Sequence, residues 1–347
     1  MLGVTSDTRL AGRAPRPRCD ELLGLYAGRS VVVTGGRGFI GSAVVGLLAD
    51  ADCRIVRVSR EERAPSAQSG RALIEDVTGD IRETRVWERV LADADVVFHL
   101  AAQTSVVEAS ENPAAVFEVN VRPLLRLLET CRRTGLRRTV VFAGTATQVG
   151  VPSRLPVDET HEDEPLTTYD AHKLVAERHL ENHVRDGVVA GTTLRLANVY
   201  GPGPPSSSAG RGVLNAMIRT ALRGETLTVY GRGDFVRDYV YVGDVARAFL
   251  MAGARGEAVN GQHFVIGSDH GHTIDEAFRL VASRVALSTG TEVRIRHITP
   301  DRVLSPVETR SFVADSSRFR RATGWRAECS LPEGIDHTIE AYLCASS

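Results

Sequence analysis

Ser30-Val-Val-Val-Thr-Gly35-Gly-Arg-Gly38-Phe-Ile-Gly41-Ser-Ala-Val-Val-Gly-Leu-Leu-Ala49 is the stretch that decides the fold. It opens on a β-branched run with no polar alternation, the mark of a parallel strand buried on both faces. Three glycines spaced G-x-x-G-x-x-G follow, and then Val44, Leu47 and Leu48 recur at helical spacing. Strand, glycine turn and helix in that order bend the backbone sharply and bring a helix N-terminus against a pyrophosphate. The spacing is not the G-x-G-x-x-G of the commonest dinucleotide fingerprint, so the strand–turn–helix setting carries the reading.

Working outward, Cys53-Arg-Ile-Val-Arg-Val58 reads as a second strand and ends in Ser59-Arg60. An NAD site usually sets an Asp or Glu about 20 residues beyond the glycines, on the ribose 2′-hydroxyl. Here no acid stands until Glu61 and Glu62, while Ser59 can hydrogen-bond a 2′-phosphate and Arg60 can pair with it bidentately. NADP(H) is therefore favoured and NAD remains possible, with Arg60 then a solvated cation and Glu61 or Glu62 on the ribose. Asp80-Ile81 closes a third polar stretch and can receive the adenine edge.

Val96-Val-Phe-His-Leu-Ala-Ala102 reads as a fourth strand, and Asn112-Pro113 punctuates before a helix carrying Phe117, Val119, Val121, Leu124, Leu125, Leu127 and Leu128. Thr139-Val-Val-Phe142 is a fifth strand, opening into Ala143-Gly-Thr-Ala-Thr-Gln-Val-Gly150. Strands alternating with amphipathic helices predict an α/β fold, a Rossmann-like doubly wound parallel sheet. Ligands in such sheets lie outside the carboxyl ends of the strands, which places Gly35, Ala101, Thr145 and the Tyr169 helix along one edge.

Tyr169-Asp-Ala-His-Lys173 stands at that edge. Of 42 Lys and Arg residues, Lys173 is the only lysine. A chain that writes every other cation as Arg keeps one compact ammonium, four residues after a Tyr and so on the same helix face. There the ammonium can favour the phenolate and make the Tyr a proton donor or acceptor near neutrality. An isolated Tyr/Lys pair at this spacing is commonly a plain surface pair; the uniqueness of the lysine and the nucleotide site before it argue for function.

Composition bounds the alternatives. A formal net charge of −1 over 347 residues argues against a general nucleic-acid or membrane-surface binder. The five cysteines (Cys19, Cys53, Cys131, Cys329 and Cys344) are odd in number and form no C-x-x-C, and they read as reduced thiols of a cytoplasmic protein. No apolar run reaches membrane-spanning length. The histidines, His161, His172 and His179 among them, lack metal-ligand spacing with acids or Cys, so they read as surface residues and no metal site is expected.

Taken in order, several stretches carry a resemblance: Thr34 to Gly41, Asp80-Ile81, His99-Leu-Ala-Ala102, Asn120-Val121, Tyr169-x-x-x-Lys173, Leu194-Arg-Leu-Ala-Asn-Val-Tyr-Gly-Pro202 and Arg237-Asp-Tyr-Val-Tyr-Val242. The chain resembles the extended short-chain dehydrogenase/reductases of the nucleotide-sugar epimerase/dehydratase group, from about residue 28 to Trp325. The resemblance implies a catalytic set of Thr145, Tyr169 and Lys173. It implies a dinucleotide held by Gly35, Gly38, Phe39, Ile40, Gly41, Ser59, Arg60, Asp80, Ile81, Leu100, Ala101 and Ala102, with Tyr169 and Lys173 at its nicotinamide end. Gln103, Asn198 and Arg237 would hold the nucleotide sugar. It divides the chain into a disordered extension over 1–27, a dinucleotide-binding domain over 28–195 with a return segment at 236–256, and a smaller mixed α/β sugar-nucleotide lobe over 196–235 and 257–347. By the same resemblance, the apolar stripes between Asn112 and Thr134 pair helices across a homodimer.

Two departures from the group narrow the chemistry. Its 4,6-dehydratases carry Asp-Glu after the catalytic Thr and its uronate decarboxylases keep a Glu two residues after it, where this chain has Ala146 and Thr147. Neither moves a proton off carbon, which leaves hydride chemistry at a carbinol or ketone. Ser305-Pro-Val-Glu308 stands where similar epimerases have Arg-Pro-Gly-Asp, with Arg302 or Arg310 available to substitute. Ser59-Arg60 leans toward a 4-ketoreductase, in which NADPH reduces C4 of a nucleotide-linked 4-keto-6-deoxyhexose, and by resemblance alone so does the Thr-Gln-Val-Gly150 ending, where similar epimerases have Val-Tyr-Gly. The Ala-Thr following Thr145 fits the alternative, a 4-epimerase with tightly bound NAD, and the intact Thr/Tyr/Lys set argues against a non-catalytic dinucleotide-binding protein.

Overall fold

The computed structural model describes residues 19–60, 70–204 and 212–346. Its strands in chain order are Ser30–Thr34 (β1), Arg54–Ser59 (β2), Leu73–Thr78 (β3), Val96–His99 (β4), Thr139–Thr145 (β5), Ala190–Leu196 (β6), Asn198–Tyr200 (β7), Leu227–Tyr230 (β8), Val236–Tyr241 (β9), His263–Ile266 (β10), Gly271–Thr273 (β11) and Ile295–Ile298 (β12). Seven form a wholly parallel sheet in the order β10-β6-β5-β4-β1-β2-β3. The order reverses between β1 and β4, and a crevice opens there at the carboxyl ends. Thr34 bridges it, taking the Leu100 amide on its carbonyl at 3.3 Å.

The unbroken apolar runs follow from burial on both sides. Val31, Val33, Ile55, Phe98 and Val141 face one layer, where Val44 and Leu48 of the Phe39–Leu48 helix meet Phe249 and Met251 of the Val242–Ala254 helix. Val32, Val56, Val97, Val140 and Phe142 face the other, against Trp87, Leu124, Leu128 and Leu180. The smaller lobe has its own core of Leu214, Ile218, Leu227, Phe278, Val281 and Ile335 around the pairs β8–β12 and β11–β9–β7. Among the described residues no helix is long and apolar enough to cross a membrane.

The structure corrects four expectations. The disordered extension does not reach residue 27: Cys19–Gly24 is helical, Leu22 and Leu23 are buried, and the Tyr26 hydroxyl, wholly enclosed, donates to the Leu250 carbonyl at 2.7 Å. The expected extension over residues 1–18 lies outside the described residues. The stretch after Asn112 is two helices, Pro113–Asn120 and Arg122–Thr134, because Pro123 in the second helix's first turn disfavours helical continuation through the residues before it. His263–Ile266, expected in the smaller lobe, is the edge strand of the main sheet beside β6; four apolar residues mark a strand but do not say which sheet receives it. The histidines are not all at the surface. His99 ends β4 fully buried, its Nδ1 3.0 Å from the Thr34 hydroxyl, and enclosure with help from the Lys173 charge pushes its pKa down to about 3. The His161 side chain is also enclosed, 2.9 Å from Asp158.

Candidate functional site

A single cavity of about 990 Å³ runs from the β1–β4 crevice to the smaller lobe. At one end lies the glycine turn. Gly35 has φ +68°, and a Cβ there would stand 2.9 Å from the Ala101 amide nitrogen; a Cβ on Gly41 would stand 2.0 Å from the Gly35 carbonyl oxygen. No side chain caps the helix that begins at Phe39, so its first backbone N–H groups keep no side-chain acceptor. Gly35, Gly38, Phe39, Ile40 and Gly41 line the cavity, with Leu100, Ala101 and Ala102 across the crevice. This bare turn, closed to any larger residue, fits a dinucleotide pyrophosphate.

Ser59, Arg60, Asp80 and Ile81 line the same end. Asp80 is held by Arg82, which donates from Nε at 2.9 Å and Nη2 at 2.5 Å, and this pairing keeps its carboxyl below the ordinary carboxylate range. Arg60 has no ion-pair partner among the described residues. Glu61 and Glu62, the alternative ribose ligands, lie outside the described residues. Arg37 belongs to this wall too. It donates to Asp76 at 2.9 Å, and Asp76 also takes Arg57 Nη2 at 2.6 Å.

Thr145, Tyr169 and Lys173 all line the cavity between these two ends. Thr145 is the last residue of β5, and Tyr169 lies in the first turn of the Thr168–Arg185 helix. Tyr169 and Lys173 are each 3% exposed, and Lys173 Nζ sits 4.3 Å over the Phe142 ring. Behind Thr145 stands a buried polar cluster. With its amide turned to satisfy both ends, Gln148 donates to the Thr145 carbonyl at 3.2 Å and accepts from Arg195 at 2.7 and 2.8 Å. Arg195 in turn pairs with Glu177 at 2.5 Å and Asp163 at 2.8 Å. Glu177, Glu181 and His263 lie close enough to hold a cation, but Arg195 already supplies the positive charge there.

Toward the smaller lobe, Arg237 on β9 lines the cavity. Its guanidinium donates to the carbonyls of Val236 at 3.0 Å and Glu308 at 2.7 Å, and to that of Arg310. No carboxylate pairs with it among the described residues, and burial holds its pKa below the usual guanidinium value. A half-enclosed cation with only carbonyl partners is built to receive an anion.

The NAD-dependent epimerase/dehydratase family matches residues 31–267. The chain belongs to this family. It is 32% identical to the UDP-glucose 4-epimerase of Mycolicibacterium smegmatis over 319 residues, 90% of this chain and 97% of that protein. The crystal structure of a Thermotoga maritima UDP-glucose 4-epimerase with UDP-glucose is similar at a TM-score of 0.80 and 31% identity, covering 92% of this chain and all of that one. A Thermus thermophilus UDP-glucose 4-epimerase in complex with NAD gives 0.76 and 30%, covering 91% and 99%. The protein is thus an enzyme of an NAD-dependent nucleotide-sugar family, an extended short-chain dehydrogenase/reductase by fold and sequence.

Within this family site, most residues expected from sequence come together on one cavity. Asn198 lines it, its amide also donating to the Asp238 carbonyl at 3.1 Å. Gln103 does not line it. Its side-chain oxygen is turned back onto the Ser105 amide at 3.0 Å, because the backbone there is held by Asn120. Of the two arginines available to replace the group's usual grip, Arg310 lines the cavity and donates to the Thr147 carbonyl at 3.3 Å, while Arg302 is outside it, paired to Glu308 at 2.6 Å. Nothing in the sequence pattern singles out Asp170. The structure buries it to 2% exposure in the wall of the cavity, where Thr147 donates to its carboxylate.

Proposed function

We propose that this protein inverts C4 of a UDP-linked hexose, with Thr145, Tyr169 and Lys173 at the reacting carbon. The observation that carries the reading is the joining of this trio, on one cavity, to an arginine without an acid partner among the described residues, in a chain whose similar relatives include UDP-glucose 4-epimerases. A dinucleotide on the glycine turn would supply a reversible hydride acceptor for C4. Tyr169 removes the C4 hydroxyl proton and later returns it. Lys173 holds the phenol in its working state and the nicotinamide ribose in place. Thr145 contacts the sugar. Arg237, with Asn198, holds the diphosphate, and the 4-ketose turns over between the two strokes.

The test needs no added cofactor. Purified protein should carry about one dinucleotide per chain and interconvert UDP-galactose and UDP-glucose, read by chromatography. Protein that carries none, and instead consumes NADPH with a nucleotide-linked 4-keto-6-deoxyhexose, would replace this reading with a 4-ketoreductase. Ser59 and Arg60 on the cavity wall favour that second reading and NADP over NAD. Acid release of the bound dinucleotide identifies which of the two it is.

Arg237→Gln removes the charge together with the terminal nitrogens that meet the Glu308 and Arg310 carbonyls. Loss of a charge-assisted contact of about 1.5–3 kcal/mol predicts a KM for the UDP-sugar roughly 10–100-fold higher, with kcat little changed. A KM within twofold of wild type would remove Arg237 from diphosphate binding.

A further inference from the structure

Asp170 follows Tyr169 directly and is the third residue of the Thr168–Arg185 helix. Part of its placement is helix capping. The Thr167 hydroxyl donates to Asp170 Oδ2 at 2.8 Å, and the Asp170 amide returns a bond to that hydroxyl oxygen at 3.1 Å. The cap uses one carboxylate oxygen. The other, Oδ1, accepts from the Thr147 hydroxyl, and Thr147 Oγ1 lies 2.7 Å from Thr145 Oγ1.

Counting protons fixes the direction of this chain. A threonine hydroxyl has one proton, and an ionised carboxylate only accepts. Thr147 gives its proton to Asp170, so the short contact between Thr147 and Thr145 must be donated by Thr145. Thr145 Oγ1 also accepts the Thr147 backbone N–H at 3.4 Å. Its proton and one lone pair are therefore committed inside the protein, and what remains toward the cavity is a lone pair.

We propose that Asp170 and Thr147 are positioning residues that make Thr145 a hydrogen-bond acceptor toward the sugar. The inference deepens the epimerase reading and rests on it. An acceptor competes with the Tyr169 phenolate for the one C4 hydroxyl proton, which must turn to the phenolate before hydride leaves, and it gives nothing to a ketone oxygen. The site accordingly holds the sugar firmly in its hydroxyl form, and Tyr169 alone donates to the C4 carbonyl between the two strokes. The consequence is a low standing population of the 4-ketose, the species that would otherwise escape with the dinucleotide left reduced. The Asp170 carboxylate itself, with both oxygens taken by threonine hydroxyls and 2% exposure, acts through Thr147.

The test reads the bound equilibrium as well as the rate. Protein carrying its own dinucleotide is saturated with UDP-glucose, and the reduced fraction is read from its near-ultraviolet absorbance. Thr147→Val keeps the shape and removes the relay, freeing the Thr145 proton to donate to the ketone. The expected result is a rise of roughly 10-fold in the ratio of reduced to oxidised bound dinucleotide, the scale of one hydrogen bond gained by the ketone state. Thr147→Ser restores the hydroxyl and should restore the ratio. Asp170→Ala, a second route to the same release should the valine variant not fold, should raise it in the same direction. An unchanged or lower ratio in both Thr147→Val and Asp170→Ala, with wild type epimerising normally, overturns the inference alone. Absence of UDP-hexose turnover in wild type overturns the epimerase reading and the inference with it.

Discussion

Tyr169→Phe is expected to lower UDP-hexose turnover by roughly 10²–10⁴-fold, the loss that follows removal of a general acid–base group. The substitution deletes one oxygen from a ring that is 3% exposed and packs with Ala109 and Val116, so the apolar contacts that hold the helix stay in place. Dinucleotide retention should be close to wild type. Its pyrophosphate end would rest on Gly35 to Gly41 and not on the Tyr169 hydroxyl. The two readouts are designed to diverge, with bound dinucleotide per chain steady and kcat collapsing. If Thr145 presents only a lone pair to the sugar, no other hydroxyl at C4 can donate in place of the phenol, and the loss should lie at the severe end of the range. Turnover within threefold of wild type would move the proton transfer to another group.

The parts of this molecule that were legible in the sequence are those written in local pattern. Ser30–Thr34 is buried at every position, as an unalternated β-branched run requires, and Gly35 and Gly41 stand where a Cβ would meet backbone at 2.9 and 2.0 Å. What the pattern could not show were contacts between segments distant in sequence. His263–Ile266 is recognisable as a strand, but its place beside β6 depends on the whole path of the chain. Leu22, Leu23 and Tyr26 sit in a composition that reads as disordered, yet a few large apolar side chains suffice to dock a short helix against the Val242–Ala254 helix. Gln103 has the residue type of a sugar ligand, and only the backbone bonds to Asn120 turn it away. Asp170 shows the converse. The sequence gives no sign of it, and the Thr147 hydroxyl that adds to its capping role comes from the Ala146–Val149 turn after β5, 23 residues earlier in the chain. The Ala146–Val149 turn directly after Thr145 has no acid of its own, and the fold brings one to it.

Lys173→Arg is the substitution this chain accepts at every other cationic position, and here it is expected to cost about 10² in kcat, the scale of an ångström's misplacement at a reacting centre. Lys173 is 3% exposed, and its ammonium stands 4.3 Å over the Phe142 ring, on which the His99 imidazole of the neighbouring strand also stacks. The same ammonium contributes to keeping His99 uncharged, second to burial itself. A guanidinium is planar and wider, and overfilling a packed site of this kind costs about 1–3 kcal/mol in displaced neighbours. It also presents a fork where the proposed role calls for one point charge between a phenol and a ribose. Charge is retained in the variant, so any loss reports shape and donor geometry. Lys173→Met provides the complementary measurement, with the stem kept and the charge removed. The role assigned to the only lysine requires both variants to fail in kcat while the protein still folds, with near-wild-type thermal melting for Lys173→Met. Near-full epimerisation by Lys173→Arg would mean that any buried cation serves, and the preference for lysine at this one position would then need a cause other than catalysis.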